Sequence, residues 1–158
     1  PEAVNRKEKR MALKTYCVSA HRKKDLQVEV KARDFSIIVD EPENSGGTNT
    51  GMNPVEMLLC SIGACQTITA VIFADFYGIT LEDIQVEVTG EMDSAGFFGN
   101  DPSIRPGFQK LHSVFHIKST APKMQIVQLL KMVEKSCPVG DSISHGVVLD
   151  EPELDLIS

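Results

Sequence analysis

Cysteine is scarce: four in 158 residues, with no C-x-x-C spacing among them. So few thiols in a chain of this length exclude a disulfide-built secreted scaffold, and the missing spacing argues against a zinc ribbon or a thioredoxin-type site. Positive charge is in deficit too. Sixteen Lys and Arg against 22 Asp and Glu leave a net charge of −6 and a pI near 5.2, the reverse of a nucleic-acid footprint. The N-terminal residues are charged and no apolar run follows them, so no secretory signal is read. Reduced thiols in a cytoplasmic setting are expected. The Gly46–Gly51 loop lacks the Lys-Ser/Thr that would complete a phosphate cradle, which disfavours nucleotide binding. The four histidines are scattered. His112 and His116 share a strand face, but no carboxylate or Cys at ligand spacing joins them, and no metal site is expected.

One segment imitates a membrane span. Met57 to Ala74 is 18 residues without a charge, the lower limit for crossing a bilayer. Ser61, Gln66, Thr67 and Thr69 interrupt it and Glu56 and Asp75 flank it. A helix buried at the centre of one domain explains the same composition, and no membrane partner is expected.

The rest of the chain reads as an α+β fold. Residues 1–12 mix Lys and Arg with Glu2 and Glu8 without apolar periodicity; they read as a mobile arm, with Met11 a candidate start, ahead of a single domain over 13–158. Thr15–Ala20, Leu26–Ala32 and Phe35–Val39 predict a three-stranded meander, the last two joined tightly through Arg33-Asp34. After a glycine-rich loop, Asn53 is placed to cap a helix and Pro54 to occupy its first position, where a missing N–H costs nothing. That helix is expected to run ~36 Å to about Tyr77 and stop at Gly78. It is apolar nearly all round and therefore central. Ile84–Met92 and Phe108–Ile117 predict a hairpin, and Pro122–Ser136 an amphipathic helix. Cys137-Pro138 breaks that helix, a short helix follows, and the tail from Gly146 is expected to supply a closing strand.

The chemistry rests on Cys65 and Cys137. On an ideal helix Cys65 shares its face with Leu58, Ser61, Ile62, Ile68, Thr69 and Ile72, surroundings that make a thiol inert unless a cation is brought to it. Cys137, just before a helix start, has backbone N–H groups near it that favour a thiolate. Two buried thiols that fill space and a redox pair are both compatible with this pattern, since free Cys is among the most buried residue types. Cys60 and Cys17 read as packing residues. Phe97 and Phe98, in a glycine-rich loop, are candidates for the wall of a site that takes an alkyl group or for anchors of the loop itself. His145, near the Cys137 turn, is a further candidate lining residue.

The run Gly46-Gly47-Thr48-Asn49-Thr50-Gly51-Met52-Asn53-Pro54-Val55-Glu56-Met57-Leu58-Leu59, with Ile62-Gly63-Ala64-Cys65 after it, resembles the signature helix of the OsmC/Ohr family. Cys137-Pro138-Val139 resembles that family's second cysteine motif, and the element order matches over roughly residues 14–150. The resemblance implies an intertwined homodimer whose long helices pack together at its centre. It implies a thiol peroxidase acting on organic hydroperoxides, with Cys65 as the attacking thiolate and Cys137 condensing with its sulfenate to a disulfide. A dithiol reductant then reopens that disulfide, and no metal or organic cofactor is needed.

In the peroxidase branch of that family an Arg lowers the thiolate pKa, and a Glu directly after Asn-Pro holds it. Here Val55 follows Pro54 and the carboxylate is Glu56. Nine residues from Cys65, Glu56 is on the opposite face of a regular helix. Arg22 is the positional match for the Arg, and Arg33 its competitor. The departure admits a second reading, a non-catalytic or redox-sensing binding protein on the same fold.

Overall fold

The computed structural model describes residues 13–157, so the arm expected over residues 1–12 lies outside them. The described residues fall into two compact units, one ending at Pro54 and the other beginning at Val55.

The first unit is the expected meander, β1 (Ser19–Lys24), β2 (Gln27–Ala32) and β3 (Phe35–Val39), antiparallel and in that order. Strands β2 and β3 form within the segments expected for them, joined by a turn that holds Arg33 at φ 55°. The first strand is a correction. It starts at Ser19 and not at Thr15, because pairing sets Ser19 opposite Lys31 and Arg22 opposite Val28. Tyr16 and Val18, inside the expected strand, are left 86% and 72% exposed. After β3 a short 3-10 turn (Glu43–Ser45) leads into the glycine-rich loop.

Asp40 organises that loop. It is buried, and its Oδ2 accepts from the backbone N–H and hydroxyl of both Thr48 and Thr50, while Oδ1 accepts from the Glu41 N–H. Gln27 Nε2 donates to both threonine hydroxyls from β2. The Thr48 hydroxyl at 2.6 Å, and then the remaining donors, hold the Asp40 carboxyl well below the usual carboxylate range against the opposing effect of burial.

The second unit holds α1 (Pro54–Phe76), β4 (Leu81–Glu91), the single-turn α2 (Ser94–Phe97), β5 (Lys110–Ser119), α3 (Lys123–Ser136) and α4 (Pro138–His145). Helix α1 ends as its glycine predicts. Gly78, at φ 66°, donates to the Asp75 carbonyl and Ile79 to that of Ala74, closing the last turn in a Schellman motif. Strands β4 and β5 pair antiparallel, with Ile84, Val86 and Val88 alternating against Leu111, Phe115 and Ile117 on the half-buried face. The outward face is charged and carries Lys118 Nζ–Glu82 at 2.9 Å and His116–Glu87 at 3.6 Å.

Two expectations fail here. The tail from Gly146 forms no strand among the described residues: Val147, Val148, Leu149 and Leu156 lie at least 71% exposed. Helix α1 is also not covered on all sides within the chain. Ile62, Gly63, Thr69, Ala70 and Ala74 are buried, but Ile68, Ile72 and Phe76 are 59%, 60% and 77% exposed.

Candidate active site

Three segments of the second unit build the site. Helix α1 carries Cys65 in its middle, and Gly63, two residues earlier, lets the helix settle against β4. A Cβ there would stand 3.3 Å from Val88 Cγ2. Helix α3 is amphipathic and buries Leu129 and Val133; its register delivers Cys137 to the point where α3 ends. Pro138 cannot continue α3, so it opens α4 at the first helical position. Cys137 thus closes one helix by donating its N–H to the Val133 carbonyl and caps the next, its sulfur accepting from the Gly140 N–H at 3.4 Å.

This fold brings the two sulfurs to 3.1 Å from each other, with both cysteines free and the Cys137 S–H donating to Cys65 Sγ. Their environments differ. Cys137 is buried at 1% exposure, whereas Cys65 is half-buried and opens on a cleft of about 550 Å³. Ala64, Ile68, Ile72 and Phe73 give that cleft its apolar wall, and Ser61, Thr69, Ser136 and Pro138 complete it.

The Cys137 thiol corrects the expectation of a helix-stabilised thiolate. Burial pushes it up, the contact with Cys65 pushes in the same direction, and the N–H groups of Gly140 and Val139 only partly oppose them. Cys137 therefore stays a thiol at neutral pH, and the site holds a proton donor beside the more accessible sulfur.

The other candidates are described each within its own unit. Arg22 uses Nε to donate to the Asp25 carbonyl at 2.8 Å, bracing the β1–β2 turn, and Arg33 stacks on Phe35 with 5.0 Å from guanidinium carbon to ring centre. Glu56 is in the first turn of α1. Phe97 and Phe98 pack edge to face on each other at 5.1 Å and do not line the cleft beside Cys65. His145 pairs with Asp141 at 3.1 Å on α4 and is likewise absent from the cleft. Cys17 and Cys60 are exposed, so neither fills the core as expected. No group of His, Cys, Asp and Glu able to hold a metal occurs among the described residues. Sequence reasoning missed Asp40 and Gly140. For Asp40 the available signal was the pair of threonines eight and ten residues downstream; for Gly140 it was a residue without a Cβ three places after an X-Pro cysteine.

Residues 47–151 match the family described as OsmC-like protein. The chain belongs to that family. Two curated relatives carry the name hydroperoxide reductase. One, from Mycoplasma genitalium, is 26% identical over 137 residues, covering 84% of this chain and 89% of its own. The other, from Mycoplasma pneumoniae, is 25% identical over 134 residues, covering 82% and 87%. Among solved structures, an OsmC-like protein from Mycoplasma pneumoniae superposes with a TM-score of 0.73 at 23% identity, over 83% of this chain and 88% of that one. The α+β architecture of this chain is that of OsmC-like proteins.

Proposed function

We propose that this OsmC-like protein is a thiol-dependent peroxidase that reduces organic hydroperoxides. The 3.1 Å approach of Cys137 to Cys65 carries the reading, and the hydroperoxide reductase names of its relatives support it. Cys65, the sulfur that faces the cleft, attacks the terminal oxygen of the hydroperoxide as a thiolate. The O–O bond breaks, the alkoxide takes a proton and leaves as an alcohol, and Cys65 becomes a sulfenic acid. Cys137 then attacks that sulfur, water leaves, and a Cys65–Cys137 disulfide forms. A dithiol reductant returns both thiols. The apolar wall of Ile68, Ile72 and Phe73 suits the alkyl part of a hydroperoxide better than it suits hydrogen peroxide.

In this reading Arg22 supplies the positive charge that ionises Cys65, and Glu56 orients it. The protein acts as a homodimer in a reducing cytosol. The uncovered Ile68, Ile72 and Phe76 of α1 support a second copy packing there.

The test is consumption of cumene hydroperoxide with dihydrolipoamide as the dithiol. Wild-type protein is expected to turn over, Cys65→Ser to lose all activity, and Cys137→Ser to form no intramolecular disulfide and, when the dithiol is omitted, to stop after a single turnover with a trapped sulfenate. Arg22→Ala is expected to slow alkylation of Cys65 at neutral pH. Val55 in the place directly after Pro54 favours a second reading, a redox sensor. A sensor forms the Cys65–Cys137 disulfide with peroxide yet shows no multiple turnover in the same assay.

A further inference from the structure

The two sulfurs are chemically alike in a disulfide but very unequal in access. Cys137 is 1% exposed at the junction of α3 and α4, whereas Cys65 opens on the cleft. Thiol–disulfide exchange depends on which sulfur the incoming thiolate reaches, and on how well the other sulfur leaves. The attacking sulfur, the attacked sulfur and the leaving sulfur lie nearly in line, so the attacked sulfur needs open space beside it, and of the two only Cys65 lines the cleft. An approach to Cys137 would have to pass through the α3–α4 junction.

We propose that the reductant attacks only the Cys65 sulfur, and that Cys137 leaves onto the first turn of α4. This rests on the disulfide cycle of the proposed function and fixes its reductive half. In the first step the reductant thiolate bonds to Cys65 Sγ, the Cys65–Cys137 bond breaks, and its electron pair leaves on Cys137. The Gly140 N–H, 3.4 Å from Cys137 Sγ in the reduced protein, meets the charge as it develops. In the second step the other thiol of the reductant attacks its own sulfur in the mixed disulfide. Cys65 is released as a thiolate, and the reductant departs as a cyclic disulfide, two electrons poorer.

The same burial that shields Cys137 also keeps it protonated once released. Toward a sulfenic acid the thiol's own proton can leave with the hydroxyl as water, but toward a mixed disulfide a thiol is a poor nucleophile, so Cys137 does not quickly return to Cys65 and expel the reductant. The mixed disulfide on Cys65 therefore persists long enough for the second thiol to act.

The experiment uses a Cys17→Ser/Cys60→Ser background, so that only the pair reports. The disulfide is formed in one sample with diamide and in another with cumene hydroperoxide, then treated briefly with the monothiol 2-mercaptoethanol. Samples are quenched in acid, unfolded, alkylated with N-ethylmaleimide and mapped by peptide mass. The mercaptoethanol adduct is expected on Cys65 and the maleimide on Cys137, with an excess of roughly tenfold or more over the reverse pattern. The adduct's lifetime is expected to shorten as pH rises, because ionised Cys137 attacks it. Adduct on Cys137, or an even division between the two, overturns the proposal, as does failure of both oxidants to form the disulfide. A disulfide formed by diamide but not by the hydroperoxide sinks the peroxidase reading and leaves the site of attack still measurable.

Discussion

Cys137 directs its S–H at Cys65 across 3.1 Å, so the two thiols of the pair cannot be equivalent. Burial, followed by the neighbouring sulfur, raises the Cys137 thiol above its ordinary value. The folded protein then keeps this proton at a pH where the unfolded chain, with an ordinary cysteine near about 8.5, has released it. Wherever the unfolded state binds fewer protons, stability falls with rising pH. Under reducing conditions the melting temperature is therefore expected to be insensitive to Cys137 below about pH 8 and to drop between roughly pH 8.5 and 10. Cys137→Ala should flatten that decline, measured as the difference in slope from wild type. Equal slopes would remove the argument that Cys137 is the protonated partner.

Asp40 gives a pH dependence of the opposite sign. Its carboxylate accepts five hydrogen bonds from Glu41, Thr48 and Thr50, and these hold it ionised well below the usual range. The unfolded chain takes up a proton near about pH 3.9 while the native chain does not. The stabilisation is present above that pH and is lost as the medium is acidified further. Asp40→Asn puts an amide where two N–H groups and two hydroxyls all need an acceptor. A melting temperature lower by several degrees at pH 7 is expected, with faster hydrogen exchange at Thr48 and Thr50 and a weaker response to acid below pH 4. Unchanged exchange at the two threonines would show that the loop holds without Asp40.

The chain announces its elements unevenly, for physical reasons. Phe35–Val39 and Pro54 to Gly78 are legible because each carries its own punctuation, a positive-φ turn at Arg33 and a proline and glycine at the two helix ends. Strand β1 is less so. Tyr16 and Val18 alternate like a strand, but where a strand begins is decided by the partner, and β2 offers Lys31 to Ser19. The closing strand expected after Gly146 fails for a related reason: apolar residues such as Val147 and Val148 become a strand only through pairing, and among the described residues they take part in none. At the site, helical periodicity places Cys65 among apolar residues, yet it cannot say that Cys137 is the residue that meets it. The two family motifs suggest the pair; only the folded chain gives its distance, 3.1 Å. Asp40 was illegible, because a lone Asp after a strand looks like any turn residue until the threonines fold back on it.

Gly78 sits at φ 66°, and the two hydrogen bonds that end α1, Gly78 N–H to Asp75 and Ile79 N–H to Ala74, depend on that conformation. No atom lies within 4 Å of the position a Cβ would take, so any cost of a side chain is conformational and not a clash. A left-handed L-residue costs about 1–2 kcal/mol. Gly78→Val is expected to lower the unfolding free energy by that amount, read as a lower urea midpoint, and Gly78→Asn by less, because Asn tolerates this region. Since Cys65 is more than three turns away, the rate at which diamide closes the Cys65–Cys137 disulfide should be unchanged in both.

Gly63 is the opposite case, limited by space instead of conformation. A methyl group there would meet Val88 Cγ2 at 3.3 Å, tighter than ordinary contact but against a side chain that can give a few tenths of an ångström. Gly63→Ala also gains helix propensity of about 1 kcal/mol, so its stability should stay within about 1 kcal/mol of wild type. Gly63→Leu has no such escape, because the larger side chain must push α1 away from β4. Overpacking of this kind costs about 1–3 kcal/mol. Because Gly63 is two residues before Cys65, the displaced helix should also carry the sulfur away from Cys137. Gly63→Leu is therefore expected to lower the urea midpoint and to slow diamide closure of the disulfide, while Gly63→Ala does neither. A leucine variant that unfolds earlier yet closes its disulfide at the wild-type rate would mean that the contact with β4 seats the helix without setting the distance between the sulfurs.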